Sequence, residues 1–224
     1  MQNLIKQEQF EIEILDMLNS KNLLKNLVFC GGSMLRLCYD LDRFSVDLDF
    51  WLTKNIDVAK LHNDLKKCIS RTYKLSDAEN KFYTLLFEVR SRDYPRSLKI
   101  EIRKQIKKVK IERAIAYSRH ANTQVLLNVV SLKDMMALKI ETFLQRKEIR
   151  DAFDIEFLIK KGIALSNDTA TLQQLSIAID SLTKRDYTVK LGSLLEETQR
   201  KYYISENFKI LKLAIAGKSA SSPG

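Results

Sequence analysis

The run Val46-Asp47-Leu48-Asp49-Phe50-Trp51-Leu52 constrains this chain more than any other feature. Acidic and apolar residues alternate with period two, which is the spacing of a strand, so Leu48, Phe50 and Leu52 share one face while Asp47 and Asp49 share the other. Such a strand buries one side and carries two carboxylates a single pleat repeat apart on its other side. Like charges so placed repel unless a cation lies between them. Upstream, the apolar run Leu27 to Cys30 stops at Gly31-Gly32, which predicts a strand turning sharply into a helix over Ser33 to Tyr39. Glycines let backbone N–H groups approach phosphate oxygens, a helix N-terminus favours anions, and Ser33 offers a hydroxyl donor. Hard oxygen ligands beside a triphosphate are the usual holders of Mg²⁺. The glycine-serine turn and the acidic pair therefore suit a metal-bound nucleoside triphosphate. Asp40-Leu41-Asp42 has the same spacing but sits in a polar turn, and is read as surface decoration.

The rest of the chain divides in character. Helices are expected over Leu4 to Leu18 and Asp57 to Tyr73, and strands over Phe82 to Arg90, Leu98 to Arg103 and Gln124 to Val130. From Ser131 the periodicity is helical almost throughout: Leu132 to Lys147, Ile149 to Lys161, Ala170 to Lys184, Val189 to Tyr203 and Phe208 to Ile215. The reading is a mixed α/β domain over residues 1–125, a helical domain over 126–216, and a disordered polar tail over 217–224. Cys30, Cys38 and Cys68 form no C-x-x-C pair and read as reduced cytosolic thiols. His62 and His120 stand far apart, which excludes a zinc site or a histidine-based triad. No run approaches the ~18 apolar residues of a membrane span, and no leader is expected, so the reading is a cytoplasmic protein without a membrane partner.

At this point the sequence resembles a known family. Gly-Gly-Ser followed at this distance by Asp-x-Asp is similar to the signature of polymerase-beta-like nucleotidyltransferases. The fuller string GGSMLRLCYDLDRFSVDLDFWL resembles the AbiEii/AbiGii group, toxin components of toxin–antitoxin and abortive-infection systems. A second block, LKIETFLQRKEIRDAFDIEFL, resembles that family's lysine helix and its R-D-x-x-D-[LI] helix, in the same order. The resemblance implies an α+β fold: a polymerase-beta-like nucleotidyltransferase domain with a mixed sheet and flanking helices, followed by a C-terminal helical bundle. It implies NTP as substrate, Mg²⁺ as cofactor and an antitoxin as partner. It further implies triphosphate contacts at Gly32 and Ser33, and Mg²⁺ ligation by Asp47 and Asp49. A third carboxylate usually completes the metal site; Glu101 is the candidate, with Glu88 second by the same alternation. Lys139 matches the helix lysine expected to reach the β/γ-phosphates, with Thr142 on its face. Asp151 and Asp154 share a helix face beside Arg150, where a nucleotide role competes with an interhelical ion network. Arg43 and Ser45 are assigned only to shaping the loop before the acidic strand.

Charge bears on the acceptor. Of the formal +10, residues 51–120 hold 18 basic against 8 acidic groups, with Lys99, Arg103, Lys104, Lys107, Lys108, Lys110 and Arg113 close together. Lys104, Lys107, Lys108 and Lys110 are the candidate RNA contacts, since lysines near a transfer site suit a phosphate backbone. Because relatives of this family extend the 3′ acceptor end of tRNA, the resemblance favours tRNA or another RNA. Two alternatives are carried: transfer to a protein or small molecule, and a nucleotide-binding module without catalysis.

Overall fold

The computed structural model describes residues 2–220. The chain divides into two compact units, one ending at Ser131 and the other beginning at Leu132.

The first unit is built on a seven-stranded mixed sheet. Its elements are α1 (Gln2–Ser20), β1 (Leu27–Cys30), α2 (Gly31–Tyr39), β2 (Asp47–Leu52), α3 (Val58–Ser70), β3 (Lys74–Asn80), β4 (Thr84–Arg90), β5 (Leu98–Ile106), β6 (Ile111–Ala116) and β7 (Val125–Val130). The strand order is β3-β4-β5-β2-β1-β7-β6. β2 runs antiparallel to β1 and parallel to β5, and β1 runs parallel to β7. The pairing puts β2 at the middle of the sheet, where its apolar face must be fully covered. Leu48 and Phe50 are buried, as are Ile100 and Ile102 of β5 and Leu85 and Phe87 of β4. Phe29 stacks on Phe50, and His62 of α3 stacks on Phe87, so His62 is a packing residue on that apolar face.

Two strands carry no clear sequence signal. β3 reads KLSDAEN and lies at one edge of the sheet; β6 reads IERAIA and lies at the other. Each pairs antiparallel with one neighbour, β4 and β7 respectively. Strand propensity reports mainly the packing of a half-buried surface, so a polar edge strand is dictated by its partner more than by its own residues. β7 pairs with β1, and so belongs to the first unit's sheet.

The second unit contains α4 (Leu132–Arg146), α5 (Ile149–Lys160), α6 (Thr169–Asp180), α7 (Glu197–Glu206) and α8 (Lys209–Ala220). The continuous helix expected over Val189 to Tyr203 is broken. A π-helical turn covers Asp186–Leu191, a 3₁₀ turn covers Gly192–Leu194, and Leu195 and Glu196 are extended. Gly192 allows this tight passage, because a Cβ there would lie 3.1 Å from the Tyr187 carbonyl. Glu156 is fully buried in this unit, where it accepts hydrogen bonds from the Tyr203 hydroxyl (2.8 Å) and the Leu211 amide (3.0 Å). One carboxylate of α5 thus ties down both α7 and α8. Residues 217–220, expected in the disordered tail, continue α8, and residues 221–224 lie outside the described residues. Among the described residues no helix is long and apolar enough to cross a membrane.

Candidate active site

The site begins at the turn from β1 into α2. Gly31 takes φ +81°, a conformation that L side chains rarely adopt. A Cβ at residue 31 would also lie 2.8 Å from Oδ2 of Asp49. Asp49 reaches the turn because β2 pairs antiparallel with β1, and Cys30 stands opposite Asp49. Gly32 is required for a separate reason: a Cβ there would lie 2.7 Å from both Nη2 of Arg43 and Oγ of Ser45. Arg43 is itself buried, and its Nη1 donates to the Phe44 carbonyl at 3.0 Å. The loop residues Arg43 and Ser45 therefore pack directly on the glycine turn, a closer involvement than loop shaping. Cys30, the N-cap of α2, supplies no side-chain hydrogen bond to the helix. The first N–H groups of a helix lack intrahelical partners and favour anions.

Ser33 is buried, and its hydroxyl donates to the Asp47 carbonyl at 2.5 Å. That bond couples the first turn of α2 to the start of β2. Asp47 and Asp49 are half-buried on the polar face of β2, with Leu48 and Phe50 anchoring the opposite face.

The parallel register extends this acidic face across β5 and β4. Lys99 stands beside Asp47 and Glu101 beside Asp49, while Glu88 of β4 faces Lys99. Sequence alternation had placed both glutamates on a polar face; only the pairing brings that face alongside the aspartates. The carboxylate of Glu101 lies 2.9 Å from Nζ of Lys99 and 3.4 Å from Nε of Arg103. Burial pushes the Glu101 carboxyl up, but these two cations outweigh it and hold the group below its ordinary value. The hydrogen bond from Lys99 to Glu101 in turn raises the lysine. Hydrogen bonds from Ser97 and Arg90 lower Glu88. Among the described residues no group of three or more His, Cys, Asp and Glu side chains is arranged to hold a metal ion. The donor set still fits one: two hard-oxygen carboxylates lie side by side, one of them against a glycine whose missing side chain leaves it room. A cleft of about 390 Å³ opens beside Asp47, lined also by Val46, Leu86, Glu88, Arg96, Ser97 and Lys99.

Sequence reasoning passed over Glu11. It is fully buried in α1, and its two carboxyl oxygens have no hydrogen-bond partner among the described residues. Desolvation, with the charges of Glu8 and Asp47, pushes its carboxyl well above the ordinary value. The only sequence cue is a glutamate in the first apolar helix, at a position flanked by Phe10 and Ile12.

Lys139, Asp151 and Asp154 lie together inside the second unit. Nζ of Lys139 is 2.6 Å from Asp154 and 3.1 Å from Asp151, and both aspartates are fully buried. Arg146 holds Asp151 with two more hydrogen bonds, at 2.7 and 2.9 Å. The arginine that pairs with Asp151 is Arg146 at the end of α4, whereas Arg150 is exposed. The Thr142 hydroxyl donates back to the Leu138 carbonyl at 2.7 Å. Of the lysines expected on RNA, Lys104 caps the Lys81 carbonyl, Lys107 stands 5.0 Å from the Trp51 ring centre, and Lys110 pairs with Glu112 at 2.7 Å. Lys108 is exposed.

A mixed sheet whose central strand sets an Asp-x-Asp pair against a glycine turn at a helix N-terminus is the arrangement that the resemblance to nucleotidyltransferases implies. The family model described as nucleotidyl transferase AbiEii toxin, of a type IV toxin–antitoxin system, matches residues 13–206, and the chain belongs to that family. Two Helicobacter pylori crystal structures share its fold. JHP933 is 23% identical with a TM-score of 0.58, over 92% of this chain and 94% of that one. A candidate nucleotidyltransferase is 21% identical with a TM-score of 0.60, over 96% of this chain and 98% of that one. No curated protein matches the chain.

Proposed function

We propose that this nucleotidyltransferase toxin moves a nucleoside monophosphate from an NTP to an RNA acceptor, with tRNA the favoured class, and that it depends on Mg²⁺. The observation that carries the reading is the approach of Asp49 to Gly31, where any side chain would collide with the carboxylate. Phosphates bound by the N–H groups of the turn at Gly32 and Ser33 would stand directly before the acidic pair. Asp47 and Asp49 would hold the Mg²⁺, which supplies charge neutralisation at the transferred phosphoryl group.

The acceptor hydroxyl forms a new P–O bond at the α-phosphorus, the bond between that phosphorus and the α–β bridging oxygen breaks, and pyrophosphate leaves while the hydroxyl proton passes to solvent. The protein's part is positioning and charge placement. Lys99 and Arg103 are both substantially exposed and can turn to phosphate oxygens, releasing Glu101 beside Asp49 as the third carboxylate. The basic stretch Lys104 to Lys110 would carry the acceptor's backbone.

The test is incubation with each labelled NTP and separate pools of total RNA, protein and small hydroxyl compounds. RNA labelling is expected, abolished by chelator and reduced at least ~100-fold in Asp47→Asn and Asp49→Asn. Labelling confined to protein or small molecules would replace the acceptor; near-full activity in either variant would overturn the site.

A further inference from the structure

We infer that the tip of the β3–β4 hairpin is a stacking platform for the single-stranded part of the acceptor RNA. This rests on the RNA reading above. Phe82 and Tyr83 form the hairpin connection and are 83% and 76% exposed, with their rings packed edge to face at 4.5 Å. Two-residue hairpin turns favour Asn, Asp and Gly for their backbone geometry. Here a bond from the Lys81 amide to the Thr84 carbonyl (2.9 Å) closes the connection, with an aromatic pair at its apex. Folding does not ask for these residues, and they bury almost nothing. Local rules broken without a folding gain mark functional positions.

The surroundings fit a polyanion. Lys81 belongs to the turn and pairs with Glu79 at 2.7 Å, Lys104 donates its amide to the Tyr83 carbonyl and its ammonium to the Lys81 carbonyl, and Arg103 stands opposite Thr84. Thr84 and Arg103 share the face that carries Asp49 and Glu101, because Leu86 pairs with Glu101 and Asp49 with Glu101. From the level of Leu86 to Phe82 is four residues, or roughly 13 Å along the strand. A stacked strand covers that length in about four nucleotides at ~3.4 Å each. Exposed aromatic faces amid cations are how proteins hold single strands without reading sequence. An RNA end threaded from the tip to the acidic pair would have its bases on Phe82 and Tyr83 and its phosphates along Arg103 and Lys104.

The test uses the full chain and its Phe82→Ala/Tyr83→Ala double variant. Both side chains are exposed, so the melting temperature should not change. Fluorescence anisotropy with a labelled single-stranded RNA octamer should show at least a ~10-fold loss of affinity, while a Phe82→Tyr/Tyr83→Phe variant binds like the parent. Affinity for the same sequence as a duplex should move less than ~2-fold. Equal octamer binding by parent and double variant overturns the inference, as does a parent with no octamer affinity, or a loss confined to anionic phospholipid vesicles. The transfer assay keeps the two readings apart. RNA labelling with an unchanged KM in the double variant sinks the platform alone. A platform that binds RNA in a protein that labels only other acceptors sinks the acceptor reading alone.

Discussion

Replacing Lys139 with methionine keeps the length and apolar stem of the side chain and removes only its charge. In the structure that charge sits 2.6 Å from Asp154 and 3.1 Å from Asp151, and neither carboxylate has solvent exposure. Taking one partner from a buried ion network costs about 3–5 kcal/mol, because the remaining charge stays desolvated. Arg146 still holds Asp151 through two hydrogen bonds, which places the loss toward the lower end of that range. Arg146 is 43% exposed, so its own removal should cost no more than ~1 kcal/mol. At ~2–4 °C per kcal/mol for a chain of this length, a loss of about 3 kcal/mol in Lys139→Met should lower the melting temperature by roughly 6–12 °C. Adding Asp154→Asn removes one of the stranded charges and should recover part of the loss. Thermal denaturation of the three variants and the parent, alongside the KM for NTP, is the assay. A Lys139→Met protein that melts within ~2 °C of the parent but shows a KM raised at least ~10-fold would refute the network argument. It would instead assign the lysine to the phosphates.

Two further outcomes follow from the first unit. Gly31→Ala should pay ~1–2 kcal/mol for a left-handed conformation and also displace Asp49, lowering transfer by about 100-fold. Gly162→Ala is the control: φ is +84° but no atom lies within 4 Å of the added Cβ, so stability should fall with activity unchanged. Equal activity in both variants would break the link between the glycine turn and the acid. Glu11→Met should stabilise the protein by about 1–3 kcal/mol at neutral pH, since it removes a buried carboxyl without partners. The folded-state pKa of Glu11 is raised, so its contribution is fully present below the ordinary value of 4.5 and is lost as pH rises through the raised value. The variant's advantage in urea melts should therefore widen with rising pH; a variant less stable than the parent at pH 7 to 8 would refute this.

The contrast between β2 and β3 shows what was legible before folding. In β2 the pattern Asp-Leu-Asp-Phe states both its period and its two faces, because one face must be buried and the other cannot be. In β3 a single large apolar residue, Leu75, states no period, and pairing with β4 makes the segment a strand. The broken helix before α7 was illegible for a related reason. Periodicity marks Val189 to Tyr203 as helical throughout, while the interruption depends on how closely Gly192 passes Tyr187.

The site divides in the same way. Local chemistry in the sequence determined the glycine turn, the acidic pair and their shared face, since each is a matter of spacing within a few residues. Only the tertiary structure decided that Asp49 lies against Gly31, that Glu101 stands beside it under the hold of Lys99 and Arg103, and that Arg43 closes on Gly32. Those placements join residues 11 to 52 positions apart, through strand order, register and the loop before β2. A period-two pattern carries the face of a strand but not the identity of its neighbour.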